Sequence, residues 1–562
     1  MRLDVPLVRW VSSYRRQWLR TDLVAGATVW AVLIPSALAY AVIVGVEPIV
    51  GLYTVPLAIV GYAIFGGSKL LVVGPDAAIS VLAASTVAAV STGDDYLELT
   101  IALTLLVGVL YVALYLLRMG WAADLVPDPV LKGFIQGLVW VTILDQIPKL
   151  VGVELVDPPS DFWRRFVDIA GELGSLQTET AVLGVISLVA LFGLKRMIPA
   201  LPGPLVVVAA TIALVALVGL GDEGVAVVGE PSGAVLELGL PSGLELDQLV
   251  DLVPGALAIV VLGFTESMGA AKAAAQKTGE RLDPGQELLA IGTSNLGAGL
   301  SGGFVVTGAL SKTSVAIASG GRTQVGNLFA AVLGVLTIVV LRPLFEHLAL
   351  TALAAIIVFA MAGMINASYF TLLWRLSRVE FLVALVAFLG VLTFGVLQGV
   401  VIAVVLSLVI LVHHIGDPPS SVLGRTPTGS WQDIERSEEA EQLEGVLVWR
   451  QEAPLIFLNA RRLVDRLRHL ISDDIRVVVV DASVVSAVDT TGITAFMDLG
   501  DELRSRQIKL WIAHPLLRTW AKAQAQAGAG ERPLPHLADS VDDAVAELLA
   551  SGPPNPGAPP AN

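Results

Sequence analysis

The chain contains no cysteine. That excludes disulfides, thiolate metal sites and cysteine nucleophiles. Charge is scarce as well. Only 15% of the residues are Asp, Glu, Lys or Arg, against about 25% in soluble globular domains. No catalytic triad, no cluster of metal ligands and no phosphate-cradling glycine loop between a strand and a helix can be found. The expectation is a protein that is not an enzyme, with no cofactor and no metal. The formal net charge of −15 argues against a nucleic-acid partner, and most of the acids lie in loops and near the C-terminus.

What the chain has is apolar sequence. Of 562 residues, 55% are hydrophobic, and the mean hydropathy is +0.76. A bilayer-spanning helix needs about 20 mostly apolar residues. Fourteen stretches qualify as spans or half-spans: 23–44, 49–66, 76–91, 99–117, 131–147, 180–195, 203–220, 253–272, 286–303, 310–319, 325–342, 348–364, 380–396 and 397–414. The first is too long for a signal-peptide core and runs straight into further spans, so it is read as a retained helix. The loop 148–179, with Trp163, reads as an interfacial excursion.

The third and tenth stretches are short and hold the same place in each group of seven. VVGPDAAISVLAAS (72–85) and FVVTGALSKTSVAIAS (304–319) each show an extended approach, a Gly-containing break and a small-residue helix. Helices broken inside a bilayer are tolerated where they line a cavity. A pair of them in two halves points to a transporter's binding site. The fold expected is therefore an α-helical polytopic membrane protein with a 7+7 inverted repeat.

Charge bias orients it. Arg2, Arg9, Arg15, Arg16 and Arg20 precede the first span, which places the N-terminus in the cytoplasm. An even number of spans puts the C-terminus there too. Lys195, Arg196, Lys272, Lys277, Arg281, Arg375 and Arg378 fall on the inner side. The stretch 221–251, with seven acids and no Lys or Arg, falls outside.

A helix N-terminus presents unpaired N–H groups and roughly half a positive charge. Two such ends facing each other form an anion site from backbone alone. The candidate lining is Gly74, Pro75, Asp76, Ala77 and Ala78 with Ala309, Leu310, Ser311, Lys312 and Thr313. Lys312 adds a cation, and the flanking hydroxyls can donate to oxyanions; the plainer reading is that Ser311 caps a helix and Lys312 snorkels. Asp76 reads first as a structural cap and second as a contact to a coupling ion. Glu266, in VVLGFTESMGAAKAA, has no cation one helical turn away, so it must pair elsewhere or bind a proton. Thr265, Ser267, Gly269 and Ala270 would let another helix end approach it. With two helix ends and Lys312 the site carries roughly +2, which ionised Asp76 and Glu266 would cancel. Protonation of Glu266 and anion binding should then favour each other.

After residue 414 charge, Pro and Ser return. Residues 415–440 read as a polar linker. Strand-like GVLVWRQ and PLIFLNA, a helix from Arg461, strand-like IRVVVVD, a helix from Thr490 and strand-like KLWIAH then indicate an α/β domain over 441–550. The Pro-rich tail 551–562 reads as disordered.

The chain resembles the sulfate permease family of anion transporters. The resemblance rests on LRTDLVAGATVWAVLIPSALAYAVIVGVEPIVGLYT, VVGPDAA, GFIQGLVWVTILDQIPKLVG, FTESMGAAKA, NLGAGLSGGFVVTGALSKTSVAIASGGRTQ and the C-terminal domain. It implies a core of spans one to four and eight to eleven and a gate of the others. It also implies an anion between the third and tenth helix ends beside Ser311 and Lys312, a carboxylate at Glu266, a STAS domain and a homodimer in the cell membrane. In a sodium-coupled bicarbonate relative a Thr one turn after that carboxylate helps hold sodium; Ala270 stands here, which favours a proton over sodium. Asp489-Thr490-Thr491-Gly492 matches the loop that related bacterial regulators phosphorylate, with Thr490 as the hydroxyl, and so suggests a cytoplasmic regulator; the plainer reading is a helix N-cap. Secondary active uptake of a small oxyanion (sulfate, bicarbonate or dicarboxylate) is the leading expectation. Exchange or channel-like conductance, a non-transporting signalling protein and nucleobase uptake are the rivals.

Overall fold

The computed structural model describes residues 6–550 apart from 92, 94, 122–126, 154, 156–161, 200, 222–223, 230–238 and 516–534. The tail 551–562 and several acids of the 221–251 loop lie outside the described residues. The chain divides into two compact units, with the boundary between Ser407 and Leu408.

Every predicted stretch is a helix. In chain order they are α1 (Leu19–Val44), α2 (Pro48–Phe65), α3 (Ala77–Ala88), α4 (Tyr96–Leu116), α5 (Asp128–Val151), α6 (Thr178–Met197) and α7 (Gly203–Val218). Then come α8 (Val253–Thr278), α9 (Pro284–Leu300), α10 (Leu310–Ala318), α11 (Gln324–Leu341), α12 (Leu350–Ala362), α13 (Arg378–Phe394) and α14 (Val396–Gly416). Among the described residues, α1, α2, α4, α5, α6, α8 and α11 are long and apolar enough to cross a membrane, as is α12 taken together with the segment that follows it, Leu350–Leu376. With 12 and 9 residues, α3 and α10 reach only about half of a ~30 Å hydrocarbon core. The loop after α5 carries a short helix, Phe162–Glu172.

The packing displays the repeat. Moving the helix numbers by seven maps the main neighbours of the half-helices and of their supporting helices onto one another. α4 packs on α8 and α9, while α11 packs on α1 and α2; α1 holds α3 and α10, and α8 holds α10 and α3. Likewise α5 packs on α13, and α12 on α6. Helices α1–α4 and α8–α11 thus form a core beside the gate helices. Small residues allow the close approach. At Gly297 of α9 a Cβ would lie 2.6 Å from the Leu57 carbonyl oxygen. The polar side chains of α9 are spent inside the core: Glu287 accepts from the Tyr62 hydroxyl at 2.9 Å and from Gly67 N–H at 3.0 Å, and Gln286 donates to the Phe65 carbonyl at 2.6 Å.

Before each half-helix lies a two-residue strand, β1 (Val73–Gly74) and β2 (Thr307–Gly308), and the two pair antiparallel. In the C-terminal unit β3 (Ser420–Arg425), β4 (Trp431–Asp433), β5 (Val446–Gln451), β6 (Val477–Asp481), β7 (Lys509–Ala513) and β8 (His536–Ala538) form one sheet in the order β4-β3-β5-β6-β7-β8. β5 through β8 run parallel, and β3 pairs antiparallel with both β4 and β5. Val478 and Val480 face α15 (Ala460–Leu470) and α16 (Thr490–Ser505), whereas Val477 and Val479 face α17 (Val541–Ala550).

Two expectations change here. Residues 415–440 are not a plain linker: they carry β3 and β4, because Leu423 and Gly424 are buried within an otherwise polar stretch. PLIFLNA is not a strand. Leu455 makes a lone bridge to Val488, the chain turns as Asn459 Oδ1 accepts from Ile456 N–H at 3.0 Å, and Phe457 is exposed.

Candidate anion site

Antiparallel strands oblige the helices that follow them to leave in opposite directions. The pairing of Val73 with Gly308 and Gly74 with Thr307 therefore brings the starts of α3 and α10 together and sends their bodies apart. The Ala309 N–H extends the pairing by donating to the Val72 carbonyl at 3.0 Å. Both half-helices lie between α1 and α8.

Asp76 is the N-cap of α3; its Oδ1 accepts from the Ala78 N–H at 3.3 Å. Gly74, Pro75, Ala77 and Ala78 are buried. The N-cap of α10 is Ala309, with no side-chain cap. Ser311 is therefore not the cap; it is exposed, as is Leu310. Thr313 is buried, and its Oγ1 accepts from the Val72 N–H at 3.1 Å, which ties α10 to the approach of α3.

Lys312 is 1% exposed. Its Nζ donates to the Pro75 carbonyl at 2.6 Å and lies 5.2 Å from the centre of the Tyr40 ring. One cation thus bridges the two helix starts rather than snorkelling. Glu266, on α8, is within electrostatic reach of Asp76, Lys132 and Lys312. It makes no direct ion pair with Lys312 among the described residues, and its buried Oε2 has no hydrogen-bond partner there. Lys272 is not among the charges nearest to it.

Ser267 fastens α8 to the site: its Oγ accepts from the Gly308 N–H at 2.9 Å and shares a 2.7 Å hydrogen bond with Thr307 Oγ1. At Gly308 a Cβ would lie 3.1 Å from Ser267 Cα, so this contact demands a small residue. Ala270 is buried, but Gly269 is exposed to open space and Thr265 Oγ1 donates to its own helix at Val261. Asn295 on α9 holds β2 from the other side, Nδ2 to the Val306 carbonyl at 2.9 Å and Val306 N–H to Oδ1 at 3.0 Å. Tyr40 and Asn295 lie inside stretches that carry the family resemblance, and Lys132 directly precedes one, but nothing in those stretches assigned them a role.

A protein-family model described as the sulfate permease family matches residues 19–387, and a STAS domain model matches 438–544. The chain belongs to the sulfate permease family. A Mycobacterium tuberculosis protein (strain CDC 1551 / Oshkosh) named "Probable sulfate transporter" is 35% identical over 88% of this chain and 89% of its own. "Sulfate transporter 4.1, chloroplastic" of Arabidopsis thaliana is 30% identical over 91% of this chain and 77% of its own. Among solved structures, SLC26A9 superposes with a TM-score of 0.89 at 19% identity, covering 98% of this chain and 93% of that one. The transmembrane domain of the cyanobacterial bicarbonate transporter BicA gives 0.60 at 21% identity, over 70% of this chain and 98% of that one. These likenesses to solved structures concern the fold.

In the STAS domain, Asp489 is the N-cap of α16: Oδ1 accepts from Gly492 N–H at 2.8 Å and Oδ2 from Phe457 N–H at 2.6 Å. Thr490 is exposed at the first helical position. Asp481, nearly buried at the end of β6, accepts from Arg450 Nε at 2.8 Å and Ser483 N–H at 3.0 Å, and His514 Nδ1 lies 3.2 Å away. Burial alone would raise its pKa, but the Ser483 and Arg450 hydrogen bonds outweigh burial and hold the carboxyl below its ordinary range.

Proposed function

We propose that this chain is a secondary active transporter of a small oxyanion, sulfate first, which it holds between the starts of α3 and α10. A proton on Glu266 is the coupling ion. The observation that carries this reading is the convergence of two helix starts bridged by Lys312. The unpaired N–H groups of the first turns and the exposed Ser311 supply donors, and Lys312 supplies charge. Glu266 supports the proton: its Oε2 is buried and unsatisfied, while Ala270, one turn on, has no oxygen to offer sodium. The relatives' names support sulfate. Alternating access would move the core against the gate as a body. In this reading both termini are cytoplasmic, the unit is a homodimer in the cell membrane, and the STAS domain with Asp489 and Thr490 meets a regulator.

The test is uptake by the purified protein in liposomes. Labelled sulfate, bicarbonate and succinate are offered under imposed proton or sodium gradients. An inward proton gradient should drive sulfate uptake, and Glu266→Gln should abolish that drive. Sulfate–sulfate exchange unaffected by either would show an exchanger instead.

A further inference from the structure

At the end of the membrane unit where α1, α3, α5 and α13 finish and α4 and α14 begin, a cavity of about 750 Å³ opens between core and gate. Its walls carry two cations, Lys149 of α5 and Arg165 of the Phe162–Glu172 helix, and one carboxylate, Asp145, which pairs with Arg165. The described lining thus bears one net positive charge. Gln146 also lines it. That side chain is 3% exposed, and its Oε1 has no hydrogen-bond partner among the described residues. An unsatisfied buried acceptor is completed by a donor from whatever fills the space. On the core side the cavity runs down α3 through Ala88, Ser85, Ala84 and Val81. Val81 stands four residues beyond Ala77, about 6 Å along the helix axis. The cavity therefore descends toward the start of the half-helix that forms the anion site.

We propose that this cavity is a second anion station. It draws a small hydrated oxyanion to Lys149 and Arg165, with a water of hydration donating to Gln146 Oε1, before the anion passes to the helix starts. This rests on the transport reading above. A low-dielectric cleft whose lining carries a net positive charge raises the local concentration of anions and speeds their capture at low salt. The step that it accelerates is entry from this end alone.

The full-length protein in liposomes of sorted orientation tests it, with labelled sulfate presented from each side in turn. Lys149→Gln should raise the half-saturating concentration from the cavity side by roughly three- to tenfold, leaving the maximal rate and the opposite side unchanged. Lys149→Arg should restore it. Gln398 is exposed on the same cavity wall, and Gln398→Lys should lower the cavity-side value and steepen its salt dependence. Equal changes on both sides, a lost maximal rate with unchanged half-saturation, or no response to Gln398→Lys would overturn the station while leaving transport intact. No flux of sulfate, bicarbonate or succinate in the unaltered protein would overturn the transport reading itself.

Discussion

Lys312 is nearly sealed from solvent, yet it neither snorkels nor pairs directly with Glu266. Its hydrogen bond to the Pro75 carbonyl uses one of three ammonium donors. In the proposed transport reading the other donors serve an anion that arrives between the helix starts. A hydrogen bond to a charged group contributes about 1.5–3 kcal/mol. Lys312→Met should therefore raise the half-saturating sulfate concentration by roughly 10- to 100-fold, and Lys312→Arg should recover part of the loss. Asp481 offers a test by pH. Its folded pKa is depressed, so the stabilisation that it provides is complete above the unfolded value of about 3.9 and is lost as pH falls through the lower folded value. Protection of β6 amides in the full chain, corrected for intrinsic exchange, should stay level from about pH 7 to 5 and fall below about 4. Arg450→Gln should move that fall to higher pH.

At the scale of elements, the site depends on two-residue strands that could not persist alone in a bilayer. They persist because neighbouring side chains satisfy the backbone around them. Asn295 serves both polar groups of Val306, so Asn295→Leu leaves a buried N–H and a buried C=O unpaired, at a cost of about 1–3 kcal/mol each. Asn295→Leu should lose both thermal stability in detergent and uptake in liposomes, whereas Lys312→Met should lose uptake alone. This difference also marks what could be read beforehand. The half-helices, Lys312, Glu266 and Asp76 were legible because charge and Gly-containing breaks stand out in apolar sequence. Asn295 was not, because its partner is 11 residues away across a turn. Tyr40 was not either, because its cation lies more than two hundred positions later. In the C-terminal unit the parallel strands showed themselves as β-branched runs. The β3–β4 hairpin hid behind Pro and Ser, since an edge hairpin buries so little that its alternation falls below the local polarity.

At the scale of the whole molecule, helix count and membrane sidedness are one question. Six membrane helices, α9 to α14, separate the loop after α8 from the β3–β4 hairpin, so both belong on one face of the bilayer if each segment crosses or, as a half-helix, turns the chain as its repeat partner does. The loop before α8 belongs on the other. Because the chain has no cysteine, a single introduced thiol reports its own location without background. Ser242, Lys277 and Thr428 are all exposed. In intact cells a membrane-impermeant maleimide should label Ser242→Cys. It should label Lys277→Cys and Thr428→Cys only after permeabilisation, with the Arg-rich start of α1 on the same inner side. The reverse pattern would invert the orientation but keep the repeat. Labelling of Lys277→Cys and Thr428→Cys from opposite faces would break the repeat, because an odd number of crossings between them cannot pair seven helices with seven.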